Sequence, residues 1–333
     1  MSGLTSLVSE LKAKGVMGHD LFTSLAEYQV SLKRENCKNR CVRCWHDQQL
    51  RCICQLIPTI SMSTLKLPNV KCLILMHHKE YLSAGNTAKF LLAILPKESV
   101  ELFIFGLEDD WERFQNELSI DPTHTLTLWP GVNAVTINHF LKSISNKKNE
   151  MGDEQQEGMH IPFSCFNSET KISSNNHNSV KDSGGNAVTS TSSTFTSTTR
   201  TTTTKTIRVV VLDGVYNHAS NMYKTMRKRL PSSINPCTVA LHPSTPSLFH
   251  RAEKKYAKDS KHSKHSKIRI STVEAYALLL SELGENDNVV NALIQSVVIN
   301  NDALKHSLLV RPKGGQPKSK TSGAFKRKLR KKK

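Results

Sequence analysis

The chain has 333 residues, with 46 Lys and Arg against 28 Asp and Glu for a net charge of +18, and is 38% apolar and 6% aromatic. That length supports one or two buried cores, and no apolar run approaches the roughly 18 residues a membrane helix needs, which excludes a membrane-spanning reading. Glu10, Asp20 and Glu27 near the N-terminus interrupt what would otherwise be a secretory leader, so the expected setting is intracellular and reducing, where clustered cysteines serve as metal ligands rather than disulfides.

Residues 1–36 repeat apolar positions at helical spacing (Leu4, Leu7, Val8, Leu11; Leu21, Leu25, Tyr28) and are expected to form a helical extension. Strand candidates follow at Lys71–Met76, Glu101–Phe105, Thr125–Trp129, Ile207–Leu212 and, more weakly, Thr238–Leu241. Helical patterns separate several of them, at Thr87–Leu95 and at Ala219–Leu230, where Ala219, Met222, Tyr223, Met226 and Leu230 share one face. Strands alternating with helices predict an α/β domain with a largely parallel sheet flanked by helices.

Residues 143–206 break the alternation: from Thr189 to Thr206, 15 of 18 residues are Ser or Thr, a composition that builds no core. The segment is expected to be a disordered insertion within one domain spanning 37–310, since long loops cost little extra closure entropy. A second polar stretch, Lys254–Lys267, adds six lysines. From Arg311 to Lys333 there are 11 basic residues and no acid, leaving +7 for the rest of the chain, so 311–333 is expected to be a disordered basic tail. Such a tail suits a polyanion or an import receptor, and the expected location is nucleus and/or cytoplasm; a solvated tail that aids solubility is the alternative.

Cys41 and Cys44, then Cys52 and Cys54, make a CxxC followed by a CxC. Each pair can present two thiolates from a tight turn, and together they satisfy a structural zinc knuckle at 41–54. Unliganded thiols are the alternative, with Cys37 competing for one position. Arg40, Arg43 and Arg51 surround the knuckle and are candidates for phosphate contact or for solvated charge.

Further chemistry-bearing groups stand where strands end: His77-His78-Lys79-Glu80 with Asn86-Thr87 downstream, Trp129-Pro130-Gly131, and Asp213-Gly214-Val215-Tyr216. Ligands in parallel α/β sheets sit at strand carboxyl ends, so Asp213 is well placed for work. Helix capping by Asn86 or Thr87 and simple turns at Pro130-Gly131 and Asp213-Gly214 are the plainer readings. Ser271-Thr272-Val273-Glu274 has the form of a capping box.

Taken in order, the cysteine knuckle, His77 with Glu80, Asn86-Thr87, Trp129-Pro130-Gly131, Asp213-Gly214-Val215-Tyr216, Arg251 and Ser271-Thr272-Val273-Glu274-Ala275 resemble the DTW domain family over roughly residues 37–282. The resemblance implies a SPOUT-like knotted fold and a tRNA-uridine aminocarboxypropyltransferase that moves the 3-amino-3-carboxypropyl group of S-adenosylmethionine to uridine N3. It implies that Trp129, Pro130, Gly131, Asp213, Ser271, Thr272 and Glu274 line the donor pocket. The N3 proton needs a base within hydrogen-bond reach, for which Asp213 is the candidate, with holding a loop or the donor's ammonium as its alternative role. RNA contact falls to Asn86, Thr87, Tyr216, Lys224, Arg227 and Arg251. Val215 and Tyr216 stand where the family has Thr and Trp, and His78 where it has proline. A zinc-knuckle RNA-binding or ribosome-assembly factor without catalysis is the alternative.

Overall fold

Five apolar stretches become strands, and every pairing among them is parallel. The strands β1 (Val70–His77), β2 (Val100–Phe105), β3 (Thr125–Leu128), β4 (Ile207–Asp213) and β5 (Cys237–Val239) form one sheet in the order β2-β1-β4-β3-β5. The structure, a computed structural model, describes residues 2–131, 133–150, 205–244, 247–249 and 270–309. The helices are α1 (Ser2–Ala13), α2 (Gly18–Asn36), α3 (Lys89–Ile94), α4 (Glu108–Ile120), α5 (Ile137–Glu150), α6 (Tyr216–Arg229), α7 (Thr272–Glu282) and α8 (Asp287–Leu309). None is long and apolar enough to cross a membrane.

The central strands read as unbroken apolar runs because both faces are covered. Cys72, Ile74 and Met76 of β1 join Val209 and Val211 of β4 on one face, beneath Phe90 of α3, Phe140 of α5, Tyr276 of α7 and Leu293 of α8. Leu73, Leu75, Val210 and Leu212 fill the other face, against Trp111, Phe114 and Leu118 of α4 and Met222 and Met226 of α6. Each such aliphatic side chain contributes about 1.5–3 kcal/mol on burial.

β4 enters the sheet between β1 and β3, so the two longest strands end side by side, with Met76 in register with Asp213 and His77 with Phe105. The two ends of the sheet differ in chemistry. At the amino-terminal end Lys71 pairs with Glu101 and Glu117, both at 2.9 Å, and Arg113 pairs with Glu101 at 2.7 Å. At the carboxyl end stand His77, Gly106, Trp129 and Asp213.

One expectation needs correction. The polar insertion does not begin at residue 143: α5 continues to Glu150, and Ile144 is buried in line with Ile137 and Phe140. Those three apolar positions are enough to dock a helix whose other faces are Asn, Ser and Lys. The remainder of the insertion, Arg251, the stretch Lys254–Lys267 and the tail 311–333 lie outside the described residues.

Of the N-terminal helices, α2 packs on the carboxyl end of the sheet and α1 packs on α2. Gly106, which follows β2 with φ +108°, lets α2 approach so closely that a Cβ there would stand 2.5 Å from the Cβ of Ala26. Phe22 of α2 packs its ring 5.4 Å from those of His78 and Phe105. Gly106→Ala is therefore expected to destabilise the protein by about 1–3 kcal/mol, from backbone strain and overpacking together. Urea unfolding measures it, and a stability equal to wild type would mean that α2 does not dock as described.

Candidate active site and metal centre

The knuckle is made by a tight turn in which Cys41 receives the amide of Trp45 and donates its own amide to the His46 carbonyl, with Trp45 at φ +57°. The Sγ atoms of Cys41, Cys44, Cys52 and Cys54 all lie within 4.8 Å of one another. Cys41 and Cys54 sulfurs are 3.3 Å apart, and those of Cys44 and Cys52 are 3.9 Å apart. A tetrahedron of thiolates around zinc has edges of about 3.8 Å, so this donor set fits that ion; Cys37 stands outside it. Burial opposes ionisation of Cys41, but the Cys44 and Arg43 amides overcome it and bring its pKa down to about 6. Burial pushes the Cys44 thiol up.

Arg43 is engaged with the main chain. Its guanidinium donates to the carbonyls of Cys54 at 3.2 Å, Pro58 at 3.3 Å and Ala93 at 3.0 Å, and to Thr59 Oγ1 at 2.8 Å, so it ties the knuckle to α3. Arg40 donates to the Leu82 carbonyl. Both charges were legible in the sequence; their carbonyl partners were not.

At the carboxyl end of β4, Asp213 is 3% exposed. Asn86 donates Nδ2 to its Oδ2 at 2.5 Å, and Thr272 donates its hydroxyl to its Oδ1 at 2.7 Å. Asn86 in turn accepts the Lys89 amide through Oδ1 at 3.1 Å, which ties it to the first residue of α3. One carboxylate thus joins three segments distant in sequence, with Thr87 buried beside Asn86. The capping box is present in full: Ser271 Oγ accepts the Glu274 amide, and Glu274 accepts the Ser271 amide. The Glu274 carboxylate also receives Ser247 Oγ and the Leu248 amide, both at 2.6 Å.

Aromatic rings stack beside this carboxylate's strand. Trp129 lies between Tyr216 and Tyr223, with centroids 5.8 and 5.2 Å away and planes 18° and 16° apart. Tyr223 is anchored through its hydroxyl to Thr238 Oγ1 at 2.9 Å, and Tyr216 is 48% exposed. Pro130 is exposed, and the Gly131 amide bonds back to the Trp129 carbonyl at 2.9 Å. Lys224 and Arg227 are exposed on α6, about 12 and 16 Å along the axis from Tyr216. Arg227 also donates to the Pro236 carbonyl at 3.2 Å.

Sequence reasoning passed over His218 and the stacking role of Tyr223. The His218 ring stacks on His77 at 4.0 Å and 12°. Gly214 permits this approach, since a Cβ there would stand 3.3 Å from the His218 Cβ and 3.5 Å from that of His77. Tyr223 lies seven residues after Tyr216, a spacing that puts both on one face of a helix and was available as a signal. A groove of about 560 Å³ lined by Ser63, Lys66, Ser281 and Asp287 holds none of these residues.

The family model of the DTW domain matches residues 38–299. The chain belongs to the DTW domain family. No similar curated protein and no similar solved structure was found. In this DTW protein the match begins after the N-terminal helices and takes in the knuckle, the sheet and the Asn86, Asp213 and Thr272 cluster.

Two outcomes follow from these geometries. Purified protein should carry about one zinc per chain by elemental analysis, and Cys44→Ser should lose the metal together with several kcal/mol of stability; a full zinc complement in that variant would remove Cys44 as a ligand. The second concerns pH. Burial pushes the His77 pKa down to about 3 and that of His78 down to about 4, against 6.5 for the free side chain. His77 Nδ1 accepts the Lys79 amide at 3.2 Å, and His78 Nδ1 lies 3.3 Å from the Phe105 carbonyl, contacts that suit neutral rings in opposite tautomers. Above pH 6.5 both states are neutral and pH has no effect through these groups. Below it the unfolded chain gains protons that the folded one refuses, so stability falls by up to about 2 kcal/mol per histidine at pH 5. Urea melts at pH 7.5 and 5 should record that loss, and His78→Gln should lessen it.

Proposed function

We propose that this DTW protein is a tRNA-uridine aminocarboxypropyltransferase, using S-adenosylmethionine to alkylate N3 of a tRNA uridine. The observation that carries this reading is the buried carboxylate of Asp213, oriented from two sides at the carboxyl end of the central strands. The fit to the donor rests on chemistry of opposite kinds standing close together. Asp213 and the Thr272 hydroxyl suit its polar arm, and the Trp129 and Tyr216 rings suit flat, apolar groups. Ser271 and Glu274 have their polar atoms committed to the capping box and to residues 247–248, so they serve the pocket through the backbone they hold.

When bound, the donor supplies a methylene next to a sulfonium, which forms the bond to N3 as its bond to sulfur breaks and methylthioadenosine leaves. Uridine N3 retains its proton at neutral pH, so the chain must supply a base. Asp213 takes that proton in this reading. Asn86 and Thr272 each donate to one of its oxygens, which orients the carboxylate at the strand end. N3 is engaged in a paired uridine, so the substrate is a loop or flipped nucleotide. Tyr216, beside the site and half exposed, offers its ring for stacking. Lys224 and Arg227, and Arg251 beyond the described residues, suit phosphates. Zinc at the knuckle is structural here. The SPOUT-like knotted arrangement, and a nuclear and/or cytoplasmic location served by the basic tail, belong to the same proposal. The parallel sheet with β4 inserted between β1 and β3 supports the fold part.

The second reading, an RNA-binding or ribosome-assembly factor without catalysis, is favoured by Val215 and Tyr216 standing exposed where the family has Thr and Trp. Binding of S-adenosylmethionine separates the two, because an RNA adaptor has no use for it.

Asp213→Asn is the direct test. The amide oxygen still accepts from Asn86, and the amide nitrogen can donate to the Thr272 hydroxyl once that hydroxyl rotates, so the site keeps its shape. Transfer to an unmodified tRNA in single turnover should fall about 10²- to 10⁴-fold, with S-adenosylmethionine and tRNA affinities within a few-fold of wild type. A rate close to wild type would remove Asp213 as the base. Loss of the modified uridine from cellular tRNA after gene deletion, read by nucleoside mass spectrometry, is the expected companion result.

A further inference from the structure

The N-terminal helices precede the stretch matched by the family model, yet α2 reaches the site. Lys33 of α2 sends its Nζ to three backbone carbonyls in the loop after β1: His78 at 3.2 Å, Lys79 at 2.5 Å and Tyr81 at 2.9 Å. An ammonium has three donors, and this tripod uses all of them. The head group is half buried, and burial lowers its pKa from the ordinary lysine value, opposed by the nearby Glu80 carboxylate.

The loop that Lys33 grips leads to the catalytic candidate. Beyond Tyr81 the chain passes Leu82, in the left-handed region at φ +55°, whose carbonyl is held by Arg40. Lys89 then donates to the Ala84 carbonyl at 2.5 Å, and Asn86 follows. From Asn86 the hydrogen bond runs directly to Asp213. Cations therefore take the carbonyls of this loop in succession, and the N-terminal helix supplies the grip at its beginning. Phe22 packing on His78 and Ala26 packing on Gly106 seat that helix so that Lys33 faces the loop.

We propose that Lys33 is a positioning residue of the site: by fixing the carbonyls of His78, Lys79 and Tyr81 it sets Asn86, and through Asn86 the Asp213 carboxylate. The role assigned to Asp213 rests on the transferase reading above; the mechanical coupling from Lys33 to Asn86 does not.

The experiment compares full-length wild type, Lys33→Met, Lys33→Arg and Leu118→Ala. Leu118 is buried on α4, on the face of the sheet away from α3, so its variant reports destabilisation without touching Lys33 or Asn86. The readout is the side-chain amide proton signal of Asn86, assigned by its loss in Asn86→Ala, together with backbone hydrogen exchange over residues 77–89. In Lys33→Met both should exchange at least about tenfold faster than in wild type, while Lys33→Arg, which keeps charge and donors, should recover part of the protection. Leu118→Ala should leave the Asn86 signal as it is. In single turnover, Lys33→Met should lose about 10- to 100-fold in transfer rate with tRNA affinity retained, the scale expected for a slightly misplaced group. Unchanged exchange at Asn86 in Lys33→Met, or an equal change in Leu118→Ala, overturns the proposal. If wild type transfers nothing, the transferase reading fails on its own, and the exchange comparison still decides whether Lys33 sets Asn86.

Discussion

A carboxylate at the end of a buried strand is a constraint that the neighbouring structure has to satisfy. Taking Asp213 out of water costs far more than any single apolar contact returns unless donors meet its oxygens. Here they come from Asn86, more than a hundred residues earlier, and from Thr272, at the start of a helix much later in the chain. Placing them requires β4 beside β1, since only that pairing brings the loop after β1 alongside the end of β4. It also requires α7 to begin at the same edge, which the Ser271 and Glu274 capping box secures. The parallel sheet supplies the rest: with all strands running one way, His77, Trp129 and Asp213 collect at one end while Lys71 and Arg113 pair with Glu101 and Glu117 at the other.

The loop between β1 and α3 is irregular, and irregular buried backbone needs partners for its carbonyls. Cationic side chains supply them: Lys33 from α2, Arg40 from the edge of the knuckle, Lys89 from α3, and Arg43 at the far end of that helix. This gives the knuckle a part in shaping the site without touching it. Metal held by the four cysteines would fix the turn carrying Arg43, and Arg43 holds the Ala93 carbonyl of the helix whose first amide Asn86 accepts. The structural and chemical halves of the protein are thus joined through main-chain carbonyls.

Those joints explain what the sequence disclosed and what it withheld. The strands were legible because a parallel strand covered on both faces is a plain apolar run, as Val209–Leu212 is. The knuckle was legible because paired cysteines at turn spacing have few other uses. Asp213, Asn86 and Thr272 were each visible as candidates, but not as one hydrogen-bonded cluster, which only the register of β1 on β4 and the start of α7 bring about. The second half of α5 was hidden because one buried side chain, Ile144, is its only apolar mark among polar residues. Lys33 and Arg43 were misjudged or overlooked for one reason: their partners are backbone carbonyls, which every residue possesses, so no pattern of side chains announces the contact.

The departure at Val215 and Tyr216 has a physical reading in the same terms. Loss of a threonine hydroxyl next to Asp213 would matter most if the carboxylate then lacked a donor, but Asn86 and Thr272 already serve one oxygen each. Replacement of an indole by a phenol would matter most if the ring's edge carried the recognition, since the two differ there in donor geometry. A stacking surface depends on the face instead, and base stacking on aromatic rings tolerates a change of ring. The Tyr216 face is held parallel to Trp129, and Trp129 is itself braced by Tyr223 and by its amide bond to the Val239 carbonyl. The plane is therefore built from β5 outward, and the outermost ring can vary in kind while the inner rings keep its orientation.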